Sequence, residues 1–520
     1  MEREFRFNQD TAVVKTTEGT IQGYFDDGLY IFKGVPYAEA ERFHDPHPAH
    51  WEGIKNCTSY GYVCPLLSLP SPNNELLVPH RYWVMNEDCM NLNVWTEGLD
   101  DQKRPVIVWL HGGGFESGSA IEHIAYEGEN LAKYAHSVIV SVNHRLNILG
   151  YFDLSDYGEE YANSGNAGTS DLIAALEWIR DNIARFGGDP GNITLFGQSG
   201  GGCKITALLQ SPAADGLFHK GLIMSGVINT AVLKDAKGSG KPMAEAVMKE
   251  LGISDVHELE KVPYSELAKA YTKVRPSLRA AGLNDGGNPH PNAYYFGDPL
   301  ANGKGFRKET AGIPLIVGTV FGEFSSFCPT PYQKKKMTRD EQISWLKKDI
   351  GEETVKTLLP LFEAAYPERD VVDLDQLDCI FRYPTMKYIE MRAQLKAQVW
   401  SYLFNMDSVL DNGTVPWHCS DVPYVFHNCQ YVPTQVRAGS DRLEDEISGA
   451  FASFARSGDF RSSSLPEWKS CTPGHEYTMI LDEHPRVREN FDHELIQKDN
   501  DLVLQHLMTR LLENAGMIQH

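Results

Sequence analysis

The chain has 520 residues, of which 42% are hydrophobic and 23% charged, and this balance excludes a disordered or low-complexity protein. Its 48 Lys and Arg residues against 70 Asp and Glu residues give a formal net charge of −22, so no nucleic-acid partner is expected. No apolar run approaches the roughly 18 residues that a membrane-spanning helix needs, and no membrane partner is expected either.

Short β-branched runs alternate with helical patterns along most of the chain. The runs are continuously apolar, which is typical of strands that are covered on both faces. Their alternation with helices predicts a large, mostly parallel, doubly wound α/β sheet flanked by helices. The predicted strands are Val106–Leu110, Val138–Val142, Ile193–Phe196, Leu222–Met224, Leu315–Val317, Val399–Phe404 and Tyr477–Leu481.

The best-defined helix is predicted over Asp171–Phe186, with Ser170 as its N-terminal cap and Gly187 at its C-terminal end. Charged helical stretches at about 240–280 and 335–400 interrupt the alternation, and we interpret them as insertions above the sheet. No repeat, charge block or Ser/Gly linker marks a domain boundary. We therefore expect residues 1–520 to form one large domain.

The N-terminus, from Met1 to Asn8, has no apolar segment and no small-residue cleavage site, so no signal peptide is predicted and a cytoplasmic location is expected. The nine cysteines have no CxxC or zinc-finger spacing, and no HExxH motif is present. They are expected to be free, mostly buried thiols. We predict no metal site and no cofactor.

A GxSxG motif, Gly197-Gln-Ser-Gly-Gly201, directly follows one predicted strand and precedes the helical run Cys203–Gln210. Such a strand–turn–helix is so tight that only small residues fit beside the serine, whose hydroxyl is held at the helix N-terminus. This context indicates a nucleophilic Ser199. A phosphate-binding loop is excluded, because Cys203 stands where that motif requires lysine.

A second glycine-rich segment, His111-Gly-Gly-Gly-Phe115, follows the strand Val106–Leu110. Residues without side chains let successive N–H groups point at one oxygen atom. The segment lies about 85 residues before the serine at a strand end, as in α/β-hydrolases. It predicts an oxyanion hole, with the N–H of Gly200 as a third donor.

On such a fold the acid and then the histidine follow the serine along the chain. His418 is the preferred base because it lies in a loop shortly after the strand Val399–Phe404, with His427 as the alternative. For the acid, Glu323 follows the strand Leu315–Val317, at the sheet edge where ligands bind. Its position alone leaves three rivals open, namely Asp298, Asp407 and Asp411.

From about Val13 to Leu481 the sequence resembles the type-B carboxylesterase and cholinesterase family of α/β-hydrolases, and is closest in character to bacterial carboxylesterases. The segment Phe186–Gly201 is similar to the active-site signature of that family, and Glu87–Trp95 to its second signature. Further similar segments are Gly34–Ala38, Asn143–Arg145, Gly150–Phe152 and Asn166–Gly168. The resemblance implies an α/β-hydrolase fold with helical insertions over the active site. It also implies that Glu323 is the catalytic acid, His418 the base, and Gly113 and Gly114 the oxyanion glycines.

The chain departs from the family pattern at several positions. Gln198 and Gly200 stand where Glu and Ala are usual, and we expect Gly200 to loosen the serine turn. The tryptophan that contacts choline in cholinesterases is replaced by Pro79, so choline selectivity is not expected. Secreted members pair the cysteine equivalent to Cys89 with an upstream cysteine; Cys64 is the candidate here, and the pairing stays open.

Together these features predict a serine carboxylesterase with the triad Ser199, Glu323 and His418, and with Gly113, Gly114 and Gly200 as the oxyanion hole. The expected partner is a small, uncharged ester with a short acyl chain, and its alcohol group would lie against the aromatic segment Leu76–Val84. A lipase acting on longer acyl chains and a non-catalytic binding module on the same fold are the alternatives. The sequence does not predict the oligomeric state.

Overall fold

The computed structural model describes residues 3–67, 80–228, 238–325, 333–410, 414–433, 440–461 and 463–514. Within these ranges the chain forms a sheet of twelve strands and a small sheet of three. The strands are β1 (Phe5–Arg6), β2 (Val13–Lys15), β3 (Thr20–Gln22), β4 (Tyr24–Asp26), β5 (Leu29–Pro36), β6 (Ile54–Asn56), β7 (Asn91–Thr96), β8 (Arg104–Leu110), β9 (Val138–Val142), β10 (Gly188–Gln198), β11 (Lys220–Met224), β12 (Leu315–Val320), β13 (Val399–Phe404), β14 (Tyr477–Leu481) and β15 (Arg486–Glu489).

The large sheet has the strand order β1-β4-β5-β7-β9-β8-β10-β11-β12-β13-β14-β15. The strands from β9 to β14 in this order run parallel to one another. The strands on either side of them are joined by antiparallel pairs. The small sheet has the order β2-β3-β6. The sequence therefore predicted the parallel centre of the sheet correctly.

The helices lie around this sheet. They are α1 (Glu129–Ala135), α2 (Asn147–Tyr151), α3 (Ala167–Asn182), α4 (Gly200–Leu209), α5 (Lys241–Leu251), α6 (Tyr264–Ala280), α7 (Arg339–Asp349), α8 (Glu352–Ala365), α9 (Arg382–Gln394), α10 (Val422–Phe426), α11 (Ser440–Ser457) and α12 (His493–Asn514). Among the described residues, no helix is both long enough and apolar enough to cross a bilayer.

The two faces of the sheet carry separate hydrophobic layers. In β8, Val106 and Val108 belong to the core formed with α3, α4 and α9, while Ile107 and Trp109 belong to the core formed with α1, α10 and α11. Successive side chains of a strand point to opposite faces, so a strand covered on both sides is apolar throughout. This is the pattern from which the strands were predicted.

The helix predicted over Asp171–Phe186 begins four residues earlier than expected, at Ala167. Ser170 does not cap it, because it lies inside the helix as its fourth residue, where its hydroxyl oxygen accepts a hydrogen bond from the side chain of Asn163 at 2.8 Å. The helix passes into a short 3₁₀ turn that ends at Gly187, whose φ of 72° is the left-handed conformation expected of a C-terminal glycine.

The stretch at 335–400 contains three helices that pack differently. Leu346 in α7 and Leu358 in α8 contribute to a separate hydrophobic cluster. Tyr388 and Ile389 in α9 instead belong to one of the two core layers of the sheet. α9 is therefore part of the layer that covers the sheet rather than an insertion above it.

Candidate active site

Ser199 lies at a strained turn between β10 and α4. Its φ of 55° and ψ of −122° are outside the conformations that L-residues prefer, while its N–H donates to the carbonyl of Met224 at 2.8 Å. A Cβ atom on Gly197 would lie 2.5 Å from the carbonyl carbon of Gly201, and one on Gly201 would lie 1.9 Å from the carbonyl oxygen of Leu110. Both glycines of the motif are therefore required by close approach, and the serine turn is as predicted.

Gly200 was expected to loosen the serine turn, but in the structure it allows a close approach of the backbone at Gly114. A Cβ atom at this position would lie 2.3 Å from both the backbone N and the backbone O of Gly114. The segment His111–Phe115, which follows β8 and is called the glycine loop below, thus packs directly on the residue after the serine. An alanine at position 200 would fit only if this loop moved away.

The peptide groups of the glycine loop are held in a fixed direction. The carbonyl of Gly113, whose φ is 83°, accepts from the N–H groups of Glu116 and Ser117 at 3.2 and 3.0 Å, and the carbonyl of Gly112 lies 2.9 Å from His111 Nδ1. In a trans peptide the N–H points opposite to the carbonyl. The N–H groups of Gly113 and Gly114 therefore point away from these partners.

Lys204, on α4, holds the start of the same loop. Its Nζ donates to the carbonyl of His111 at 2.8 Å, and its side chain is completely buried. Burial disfavours the charged form and lowers the pKa of Lys204 to about 7. The sequence does not indicate this role for Lys204, because the contact joins it to a loop 93 residues away and is formed only by the fold.

Glu323 and His418 meet at the carboxyl ends of β12 and β13. Glu323 Oε2 lies 2.5 Å from His418 Nδ1, and the backbone N–H of His418 donates to the carbonyl of Glu323 at 2.8 Å. The other carboxylate oxygen accepts from Ser225 Oγ at 2.6 Å and from the N–H of Val320 at 2.9 Å. Glu323 is fully buried, and these contacts fix its orientation.

The ring of His418 is enclosed by aromatic and acidic side chains. Phe381 stacks on it with centroids 5.2 Å apart, and Phe324 lies nearly parallel to it at 6.3 Å. Asp421 is buried nearby and accepts from Tyr402 Oη at 2.7 Å, and its burial raises its pKa to about 7. Asp421 is another group that the sequence did not indicate.

Ser199 and His418 line the same cavity, but no hydrogen bond joins them among the described residues. His418 Nε2 instead lies 3.1 Å from the side-chain amide nitrogen of Gln198. The structure thus brings together all three residues predicted as a triad, with the histidine in contact with the residue before the serine.

The alternative residues lie in other surroundings. His427 Nε2 contacts Asp445 at 3.0 Å, and its ring stacks on Tyr134. Asp298 accepts from the N–H of Leu300 in a local turn. Asp407 forms ion pairs with Lys334 and Arg369 at 3.2 and 2.9 Å, and Asp411 lies outside the described residues.

A cavity of about 480 Å³ opens above Ser199 and His418. Its outer wall includes Tyr82 and Trp83, which are 51% and 43% exposed, and Trp83 packs edge-on against Tyr60. This wall is the C-terminal part of the predicted segment Leu76–Val84. Its residues 76–79, including the position that replaces the choline-binding tryptophan, lie outside the described residues.

Cys64 and Cys89 are both buried and are free thiols in this structure, and Cys64 Sγ accepts from the N–H of Leu146 at 3.2 Å. Cys328 lies outside the described residues.

A parallel sheet that carries a strained serine turn at one strand end and a Glu–His pair at two neighbouring ends defines an α/β-hydrolase. Residues 10–498 match the model of the carboxylesterase family. The chain is 30% identical over 513 residues to the para-nitrobenzyl esterase of Bacillus subtilis, covering 94% of this chain and 98% of that protein. It is likewise 30% identical to the phenmedipham hydrolase of Pseudarthrobacter oxydans, covering 88% and 92% of the two chains.

Among solved structures, an esterase from Clostridium hathewayi, described as able to hydrolyse aliphatic aromatic polyesters, superposes with a TM-score of 0.92 at 46% identity, covering 96% of this chain and 100% of that one. The chain belongs to the carboxylesterase family. It is a serine hydrolase that acts on carboxylic esters.

Proposed function

We propose that Ser199, His418 and Glu323 hydrolyse esters through an acyl-enzyme on Ser199. The observation that carries this proposal is the 2.5 Å contact between Glu323 and His418 beside a strained serine in one cavity. His418 Nε2 takes the proton of Ser199 as the hydroxyl attacks the ester carbonyl. Glu323, as an acceptor, keeps the histidine proton on Nδ1 and stabilises the imidazolium that forms.

The tetrahedral intermediate places a negative charge on the former carbonyl oxygen. The N–H groups of Gly113, Gly114 and Gly200 are the proposed donors to this oxygen, supported by the close packing of Gly114 on Gly200. His418 then gives its proton to the leaving alcohol, and water cleaves the acyl-enzyme by the same route. No cofactor enters this reaction.

For the substrate we propose small, uncharged esters with a short acyl chain and a flat, often aromatic alcohol. The exposed aromatic wall at Tyr82 and Trp83 suits such an alcohol. The para-nitrobenzyl ester named in the description of the B. subtilis relative contains such an alcohol group.

A second candidate substrate is a longer aromatic ester. The aromatic wall is at the opening of the cavity, so one aromatic unit can lie on it while the rest of the chain extends into solvent. The relative from C. hathewayi is described as acting on aliphatic aromatic polyesters. This candidate uses the same wall and the same triad.

The test is a comparison of kcat/KM for an aryl acetate, an aromatic oligoester, butyrylcholine and a long-chain glyceride. We expect the aryl acetate to be preferred over the last two, since Pro79 stands where cholinesterases have their choline-contacting tryptophan and the charged insertions offer no continuous apolar stretch for a long acyl chain. Turnover should disappear in Ser199→Ala and persist in Ser119→Ala, a matched serine that lines the same cavity but whose hydroxyl makes no hydrogen bond with the glycine loop among the described residues. A preference for butyrylcholine or the glyceride would contradict the proposed specificity, and turnover by Ser199→Ala would contradict the mechanism.

A further inference from the structure

Gln198, the last residue of β10, lies between the ring of His418 and the glycine loop that follows β8. Its side chain is 1% exposed, and its amide nitrogen is 3.1 Å from His418 Nε2. On its other side, the amide oxygen would be 3.2 Å from a Cβ atom placed on Gly112. The amide therefore fills the space between the imidazole ring and the glycine loop.

The direction of the hydrogen bond follows from the partners of His418. Its Nδ1 lies 2.5 Å from Glu323 Oε2, and an ionised carboxylate only accepts, so Nδ1 carries the proton. In a neutral imidazole Nε2 then has only a lone pair, which can accept a hydrogen bond but not donate one. The amide N–H of Gln198 supplies the donor that this lone pair requires.

A glutamate, the residue usual at this position in the family, would act in the opposite way. Its carboxylate would accept a proton from Nε2 and so stabilise the imidazolium. The Gln198 amide stabilises the neutral ring, which is the form that removes the proton of Ser199.

We propose, on the basis of the proposed function, that Gln198 is a positioning residue that keeps His418 neutral and in the correct tautomer until substrate binds. Its N–H occupies the Nε2 lone pair in the resting enzyme and gives it up to the Ser199 hydroxyl during attack. Ser199 Oγ makes no hydrogen bond within the described part of the chain, which agrees with a resting state in which the amide is the partner of Nε2.

Other charged or titratable groups lie around His418, and the test requires that they are the same in every variant. Glu323 contacts Nδ1, Asp421 lies on the side of α10, and Asp378 is buried close to Glu323. Cys419 follows His418 in the chain, and its thiol is held neutral because burial raises its pKa. None of them contacts Nε2, so substitutions of Gln198 change the partner of that atom and leave these charged groups in place.

The experiment compares the pH dependence of kcat/KM for the wild type, Gln198→Glu and Gln198→Met, each normalised to active sites titrated with a fluorophosphonate. We expect the acidic limb in Gln198→Glu to lie about one pH unit higher than in the wild type, since a nearby opposite charge shifts a titration by one unit or more. Methionine has a length similar to that of glutamine but neither donates nor accepts a strong hydrogen bond. The acidic limb of Gln198→Met should therefore lie between that of the wild type and that of Gln198→Glu. Equal limbs in all three proteins, or a limb moved downward in Gln198→Glu, would overturn the proposal.

A second measurement needs no variant. In wild-type protein labelled with ¹⁵N-histidine, the NMR signals of His418 should report a protonated Nδ1 and an unprotonated, hydrogen-bonded Nε2 at neutral pH. A protonated Nε2 in the neutral ring would overturn the proposal. Failure of the proposed function would be recognised separately, because Ser199→Ala would then keep its esterase activity.

Discussion

At the scale of single residues, the acid of the triad is the assignment that the sequence left most open. Glu323 accepts three hydrogen bonds, from His418, Ser225 and the backbone of Val320. In Glu323→Gln one of these acceptors becomes a donor, which favours the wrong tautomer of the histidine. We expect kcat to fall by several orders of magnitude, as the same change does in another triad, where the loss is about 10⁴-fold.

The matched control is Asp298→Asn, which removes the charge of a rival carboxylate that caps a local turn. Steady-state kinetics on an aryl ester should show nearly wild-type kcat for this variant. A crippled Asp298→Asn enzyme together with an active Glu323→Gln enzyme would show that the acid has been assigned wrongly.

The residues that carry chemistry differ in how far the sequence predicts them. Ser199 is predicted because its motif is local, with the strand, the turn and the helix all within about 20 residues. Glu323 is favoured over its rivals only by the resemblance to a family, since it lies 95 residues before its partner His418 in the chain. The contact between Gln198 and His418 spans 220 residues and carries no sequence signal at all.

At the scale of structural elements, the glycine loop and the start of α4 depend on each other. In Gly200→Ala the added methyl group would meet the backbone of Gly114, so the loop must move and the N–H of Gly114 leaves its position. We expect kcat to fall by about 10- to 100-fold with a smaller change in KM, because loss of one oxyanion donor costs roughly 10²- to 10³-fold in another enzyme.

Gly312→Ala is the control for this change, since Gly312 is exposed and a Cβ atom there would meet nothing within 4 Å. Its kinetics should equal those of the wild type. If Gly200→Ala also keeps full kcat, the close approach of the loop to Gly200 is not needed for turnover.

Among the elements, the sequence predicts strands that are apolar throughout and misses those with a polar face. β7 carries the buried side chains of Asn91, Asn93 and Thr96, and Asn93 is satisfied by Ser141 and by the backbone of Gly34. The alternation of polar and apolar residues from Asn91 to Val94 is a strand pattern, but it is typical of a strand with an exposed polar face, whereas these polar side chains are buried and paired in the folded protein. Strands β1 to β4 have only two or three residues each, which is too short for a periodic pattern, and the eight-residue strand β5 was also not predicted.

At the scale of the whole molecule, the buried Lys204 links stability to pH. Its pKa is about 7 in the folded protein against 10.5 as the ordinary value, so between these two values the unfolded chain binds more protons than the folded one. The contribution of Lys204 to the free energy of unfolding therefore rises with pH across this window. At pH 7 the cost of burying it is on the order of 4 kcal/mol.

In Lys204→Met this cost is removed, while the hydrogen bond to the carbonyl of His111 is lost at every pH. We expect the difference in free energy of unfolding, variant minus wild type, to be larger at pH 7 than at pH 10. It should fall by several kcal/mol between these two pH values. Urea unfolding at both pH values measures it, with Lys249→Met on the exposed face of α5 as the control. A difference that does not vary with pH would contradict the buried, weakly basic state of Lys204.

Ser199 is the proposed nucleophile of this carboxylesterase, and covalent labelling tests this role most directly. A fluorophosphonate reacts with a serine only where a base removes its proton and an oxyanion hole receives the phosphonyl oxygen. Peptide mass spectrometry of the inhibited protein should find one modified peptide, which contains Ser199 within residues 193–204, and the labelling should be lost in Ser199→Ala. A label on any other serine, or full inhibition of the enzyme without modification of Ser199, would show that Ser199 is not the nucleophile.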